Sequence, residues 1–416
     1  MAHENQMPPA PPGFRWFTGG VASWFAAFGM QGVLFAWILV GELESDPEWV
    51  GIAQTMSMLP SVFLLLIGGA IADRFDPRRL LLIIHTLAPL PVLGLAYAAG
   101  TDQLSIPVVL AFALCMGTFT AFGNPARDAL LSRVAGPNLM NAVSGMTAVQ
   151  FGAQALGAIG AGAARVIGTA STLGIHALIL AAGTLFIRMV PRAPERTPEP
   201  IPNQAPDQES PKRDSLLDSL KGMREGLAII FRTRELRGAL MAIFAVGVLF
   251  VGPFSVVMPL MIREVYSGGV DQLALANMLF PLGTISGSIV VRVFGLKRKG
   301  RAMLIALSGG AILEGVLGTA PSFALFCVAT FTWGLAAAVF INCSRTIFQE
   351  HAPPAYRGRV LAAYQLGFTG GGPIGALASG YAISVVGLGG TFFLSASAMA
   401  LILLSMTLFT QVSRIE

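Results

Sequence analysis

The sequence predicts an all-α membrane protein, with twelve transmembrane helices in two pseudo-symmetric six-helix bundles. The first observation is composition: 54% of the 416 residues are hydrophobic, only 12% are charged, and mean hydropathy is +0.69. A soluble domain carries about 25% charged residues. This chain could not cover its surface in water, so its solvent is mostly lipid. The second is segmentation. A spanning helix needs about 20 apolar residues, and twelve stretches qualify: 17–40, 49–72, 79–99, 105–125, 139–163, 169–190, 237–262, 271–293, 301–320, 322–344, 358–384 and 388–411. The third is an internal repeat. A shift of 218 residues places Gln54 on Gln272, Gly69 on Gly287, Arg74 on Arg292, Asn124 on Asn342 and Arg127 on Arg345. It also carries Gly152, Gly157, Ala158 and Gly162 onto Gly370, Gly375, Ala376 and Gly380. Glycine matches come cheaply in a chain with 48 Gly, but Asn and Arg together at one offset do not. The two halves therefore run parallel, related by an axis along the membrane normal.

In chain order, residues 1–16 read as a polar, Pro-rich cytoplasmic tail without the basic start and small-residue cleavage site of a secretory signal. Residues 17–190 form the first six-helix bundle. Residues 191–234 are a linker: Pro191, Pro194, Pro198, Pro200, Pro202, Pro206 and Pro211 keep its first part extended. Leu216, Leu217, Leu220, Met223, Leu227 and Ile230 then recur at helical spacing, so 215–231 is an amphipathic helix. It either lies on the inner membrane face or packs under the bundle. Residues 235–411 are the second bundle and 412–416 a short tail. With the N-terminus inside, only Arg165 and Arg263 of the 27 Lys+Arg lie at outer ends, so both termini are cytoplasmic. The net charge of +5 is a topology signal and not one of nucleic-acid binding. Cys115, Cys327 and Cys343 all fall inside apolar spans, are spaced wrongly for a metal, and read as packing residues.

A few residues break the apolar pattern. The second and third spans are joined by a short charged stretch, Gly68-Gly69-Ala70-Ile71-Ala72-Asp73-Arg74-Phe75-Asp76-Pro77-Arg78-Arg79. Gly68 and Gly69 permit close helix approach. Asp73 sits where bilayer gives way to water, and needs a cation or a helix N-terminus as partner. Arg127 ends the fourth span at the same inner depth, within Asn124-Pro125-Ala126-Arg127-Asp128. Glu314 is the only acid deep in a span. A carboxyl there is costly and marks a functional position by default, which makes Glu314 the candidate proton carrier. The run Gly367-Phe368-Thr369-Gly370-Gly371-Gly372-Pro373-Ile374-Gly375 in the eleventh span suits tight packing, and a kink at Gly372-Pro373. His85 and His176, in the third and sixth spans, read as packed. Paired catalytic carboxylates, a metal-spaced His cluster and a phosphate loop are all missing, so an enzyme is not expected, nor any cofactor or metal.

The charged stretch resembles the signature loop of the major facilitator superfamily, between its second and third helices: Gly69, Asp73, Arg74, Arg78 and Arg79 stand where that pattern has them. The second copy has decayed, with Val291 in the place of Asp73. The resemblance implies a charge network of Asp73, Arg74, Arg78 and Arg127, completed by the start of the eleventh helix near Gly358 and Val360, that holds the inner gate shut. The Gly372-Pro373 run resembles the superfamily's antiporter-associated motif, although that motif belongs to span five. Within the superfamily the chain is similar to the bacterial siderophore-exporter and drug-efflux branch. Asn124 to Leu131, Asn138 to Ala142 and Pro353 to Val360 carry this likeness, together with the charged stretch.

A central cavity between spans 1, 2, 4, 5, 7, 8, 10 and 11 would offer Trp24, Gln31, Phe35, Gln54, Met58, Met116, Phe119, Gln150, Gln154, Phe244, Phe254, Phe331, Trp333, Asn342, Tyr364 and Gln365. These aromatic, thioether and amide groups suit an amphiphilic or aromatic solute. The expectation is a monomeric, proton-coupled exporter in a bacterial inner membrane, with the small-molecule substrate, protons and lipids as its partners. The alternatives are a proton-independent facilitator or lipid flippase, and a non-transporting sensor on the same fold.

Overall fold

The computed structural model describes residues 12–72, 76–135, 139–192, 216–296, 298–353 and 356–410, together with 412 and 415. Among these, helix is the only regular structure. Helix α1 (Pro12–Trp37) ends in a π-turn, Ile38–Glu42, and α2 is Pro47–Ala72. The third span is divided at Pro89 into α3 (Pro77–Leu87) and α4 (Pro89–Gly100). Then come α5 (Ile106–Val134), α6 (Leu139–Ala161) and the short α7 (Ala164–Ile167) that leads into α8 (Thr169–Met189). After α9 (Leu216–Arg232), one span is built from α10 (Arg234–Val246), a π-turn (Gly247–Val251) and α11 (Gly252–Glu264). Helices α12 (Val270–Phe294), α13 (Lys299–Gly318) and α14 (Phe323–His351) follow. The last element, α15 (Arg357–Phe409), is two spans joined at Gly387, where φ is 75° and ψ 176°. Twelve spans thus follow in the predicted order.

The inner side is the one on which the basic residues collect, and the outer side holds Arg165 and Arg263. Each of the six outer turns holds one residue with left-handed backbone: Glu44, Asp102, Gly168, Ser267, Ala320 and Gly387. Asp102 and Ala320 are 218 residues apart, so at this turn the repeat read in the sequence is also one of backbone geometry.

The helix crossings repeat as well. In the first half α1 packs on α6, and in the second α10–α11 packs on α15. A Cβ on Gly29 would run into the carbonyl of Gln154, and one on Gly247 into the backbone at Gly371. A Cβ on Gly157 would meet the Ala26 carbonyl, and one on Gly375 the carbonyl of Val248. Both pairs are 218 apart, and only glycine lets backbones come this close. Helix α9 packs against α10 and α15 and also touches α2. Its Ile230 is fully buried and its Glu225 pairs with Arg359 at the start of α15. Of the two placements the amphipathic pattern allowed, packing under the bundle is the one observed.

Candidate functional site

A cavity of ≈ 340 Å³ lies on the seam between the halves. Helix α1 gives it Phe28, Gln31, Gly32 and Phe35; α2 gives Gln54, Ser57, Met58 and Ser61; α5 gives Gly117 and Thr120. The second half adds Val251 from its π-turn and Phe368, Thr369 and Gly372 from α15. The spacings of three and four residues put each set on one helix face. None of these side chains is ionisable. Among the described residues the cavity therefore offers aromatic faces, a thioether, amides and hydroxyls, and no fixed charge to hold an ion.

Hydrogen bonds close the seam on its outer side. Gln54 donates from Nε2 to the Ser255 carbonyl at 3.2 Å, and Thr55 donates to the Pro373 carbonyl at 2.9 Å. Gly51 lies against Ala376 and Gly380, where a Cβ would meet backbone at 2.7 and 3.0 Å. Further out, Arg165 pairs with Asp271, and Arg263 with Glu44. These hydrogen bonds and ion pairs join the halves in the outer part of the seam.

Of the residues predicted to line a cavity, Gln31, Phe35, Gln54 and Met58 do so. The others lie elsewhere. Met116 is buried inside the first half, and Phe119, Gln150 and Gln154 are half-buried away from the cavity wall. Phe254 and Trp333 belong to an aromatic cluster within the second half: Phe254 is 4.9 Å from Phe280 and 5.8 Å from Trp333, whose ring is also 5.5 Å from Phe250. Asn342 turns back to its own helix and donates to the Ala338 carbonyl at 2.8 Å. Tyr364 is buried against Phe348, and Gln365 is exposed. Sequence reasoning missed Phe28, Gly32, Ser57, Ser61, Gly117, Thr120, Val251, Phe368 and Thr369 as wall residues. The stripe Gln54, Ser57, Met58, Ser61 was the available signal, a small and polar face on an otherwise apolar span.

The predicted gate is described only in part. Asp73 and Arg74 lie outside the described residues, and Gly69 falls within α2. Arg78 is buried and donates from Nε to the Val190 carbonyl and from Nη2 to the Arg188 carbonyl, both at 2.6 Å. It thus caps the end of α8 within its own half, where cations are favourable. Arg127 is also buried in the first half, bonded to Asn124 and with its guanidinium carbon 5.0 Å from the ring centre of Trp24 and 4.9 Å from that of Phe25. Gly372 is on the cavity wall, and α15 stays helical through Pro373. Glu314 is fully buried in α13, away from the cavity, and neither carboxyl oxygen has a hydrogen-bond partner among the described residues. Gly310 and Gly318, one turn to either side, lie against Phe250 and against the second span of α15.

A sequence profile described as Major Facilitator Superfamily matches residues 17–313 and 254–415. The chain belongs to the major facilitator superfamily. Its relatives within this superfamily include the enterobactin exporter EntS of Shigella flexneri, 26% identical over 343 residues that cover 80% of this chain and 77% of EntS. The multidrug efflux pump Tap of Mycobacterium tuberculosis (strain ATCC 25618 / H37Rv) is 25% identical over 375 residues, 88% of this chain and 86% of Tap. Among solved structures, the nucleoside transporter NupG superposes with a TM-score of 0.75 at 14% identity, covering 95% of this chain and 98% of NupG. At that identity the likeness is one of fold. This major facilitator chain is a multi-pass membrane transporter.

Proposed function

We propose that the protein is a proton-coupled exporter of an uncharged amphiphilic or aromatic small molecule, siderophore-like or drug-like, working by alternating access in a bacterial inner membrane. The observation that carries this is the cavity on the seam, lined with rings, amides and hydroxyls and, among the described residues, without a charge. Such a wall holds a solute by stacking and a few hydrogen bonds. The names of EntS and Tap, an exporter and an efflux pump, support the direction of transport. The moving bodies are 17–190 and 235–411, carried by a monomer with both termini inside, and 191–234 is the tether. We read a seam tied on its outer side as the inward-facing state of that cycle. Asp73, Arg74 and Arg127 serve the opposite closure.

Coupling is assigned to Glu314, with Asp73 as the fallback. A carrier must bind its coupling ion differently in its two states. A carboxyl keeps its proton in dry surroundings and releases it when water or a cation arrives, and Glu314 is fully buried with neither oxygen hydrogen-bonded among the described residues. The test is export from proteoliposomes with and without a pH gradient, for the parent and Glu314→Gln. The variant should lose uphill export and keep substrate binding. Full uphill export by the variant would end the assignment, and flux indifferent to the gradient would favour the facilitator.

A further inference from the structure

At the outer mouth the two halves are joined by charge. Arg165, in α7, pairs with Asp271 in the first turn of α12. Arg263, in the last turn of α11, pairs with Glu44 at 2.6 Å and donates a second hydrogen bond to the carbonyl of Val40. The ties run in opposite directions, each half supplying one arginine and one carboxylate. These are also the two basic residues that the charge distribution leaves on the outer side. Arginine is disfavoured there, and both are used in the seam.

The acceptors are prepared for this. Val40 lies in the π-turn that ends α1, where the amides of Leu43 and Ser45 bond back to Ile38 and Leu39. Carbonyls at a helix end lack an amide partner within the helix, and Arg263 donates to that of Val40 from the other half. Glu44 holds a left-handed backbone, φ 46°, which is unfavourable for a side-chain-bearing residue. Strain of this kind persists where surrounding contacts hold it, and the Arg263 pair is one such contact. The Arg165–Asp271 pair borders an outer cavity of ≈ 370 Å³, so water and salt reach it. The Arg165 and Glu44 side chains are 65% and 71% exposed. Exposed pairs are individually weak. A gate that must open in every cycle needs weak ties, because a strong lock would trap one state.

We propose that Arg263 and Arg165 are the positioning residues of the outer gate: their bonds to Glu44, Val40 and Asp271 hold the halves together at the outer mouth and set the share of molecules open to the inside. This rests on the alternating-access reading and adds to it the residues that bias it.

The test reads the mouth directly. In a parent whose three native cysteines are replaced by alanine, Ser255→Cys places one thiol just inside the seam. A membrane-impermeant maleimide is added from the outer side. Arg165→Gln with Arg263→Gln should speed labelling about threefold or more, as the loss of two weak pairs allows. Arg165→Asp, which faces Asp271 with a like charge, should also label faster. Adding Asp271→Arg to it restores the pair in reverse and should return the rate to within about twofold of the parent. A purely structural role would not be rescued by this reversal. Should the variants fail to reach the membrane, the parent itself answers. Raising salt from about 20 mM to about 500 mM screens exposed pairs, and should speed labelling at Ser255→Cys but not at Asp102→Cys on a separate outer turn. Parent-like rates in the double variant, a reversal without rescue, or an equal salt response at both thiols would overturn the proposal. Labelling does not depend on the solute, so responsive labelling without any flux would fault the exporter reading and leave the gate standing.

Discussion

At the scale of single residues, neighbours in the sequence do unlike work. Gln31 and Phe35 face the cavity, whereas Gln365 is exposed and away from it. Gln31→Ala and Phe35→Ala should each raise the KM for transport by roughly three- to tenfold, the worth of one lost hydrogen bond or ring contact. Gln365→Ala should leave it unchanged, as initial-rate measurements in vesicles would check. Arg78 separates two roles in the same way. Its bonds cap α8, so Arg78→Ala should destabilise the protein by about 2 kcal/mol, seen as a lower Tm in detergent, while flux per folded molecule stays near the parent's. A gate residue would show the opposite pattern, with flux lost and Tm kept. The signature loop was legible in sequence as a cluster of charge. That Arg78 bonds α8 carbonyls was not, because the partner carbonyls lie more than a hundred residues away and carry no sequence signature.

At the scale of the element, the helices are apolar nearly all round, and this decides what sequence could say about them. Where a helix has one apolar stripe, the stripe points to the core. Here lipid and protein ask for the same side chains, so the spans were easy to find and their faces were not. Trp333 and Met116 were placed on the cavity and are instead buried within one half. The glycines show which faces meet. Gly157 and Gly375 press on carbonyls of the facing helix, whereas Gly152 and Gly370, also 218 apart, have open space around them. Gly157→Ala and Gly375→Ala should therefore lower the yield of folded protein and its Tm. Gly152→Ala and Gly370→Ala should be tolerated or stabilise by up to about 1 kcal/mol, the helix propensity gained. Size-exclusion profiles and thermal unfolding of the four variants would separate the two classes.

At the scale of the molecule, the 218-residue repeat was legible because two features at one offset are improbable, and the backbone repeats with it. That the seam is tied on its outer side was not legible, since its partners lie more than a hundred residues apart and carry no sequence signature. That state makes a direct prediction. Built Cβ atoms place Gly162 3.4 Å from the Cβ of Ala274 across the outer seam, close to the spacing a disulfide needs. Gly162→Cys with Ala274→Cys, in the cysteine-free parent, should crosslink under oxidation and stop transport, and a reductant should restore it. Full flux by the crosslinked protein would exclude relative movement of the halves there. The outer ties have one more consequence, for assembly. The positions 218 residues away from Arg165, Asp271, Arg263 and Glu44 are Ile383, Ala53, Ser45 and Ile262, none of them charged. Two copies of one half brought face to face could not form either tie. If the chain were cut within 193–215 and its fragments made separately in one membrane, these ties would favour the complement over a second copy only modestly, since exposed pairs are weak. The duplicated architecture thus carries, in four side chains, a bias toward pairing unlike halves.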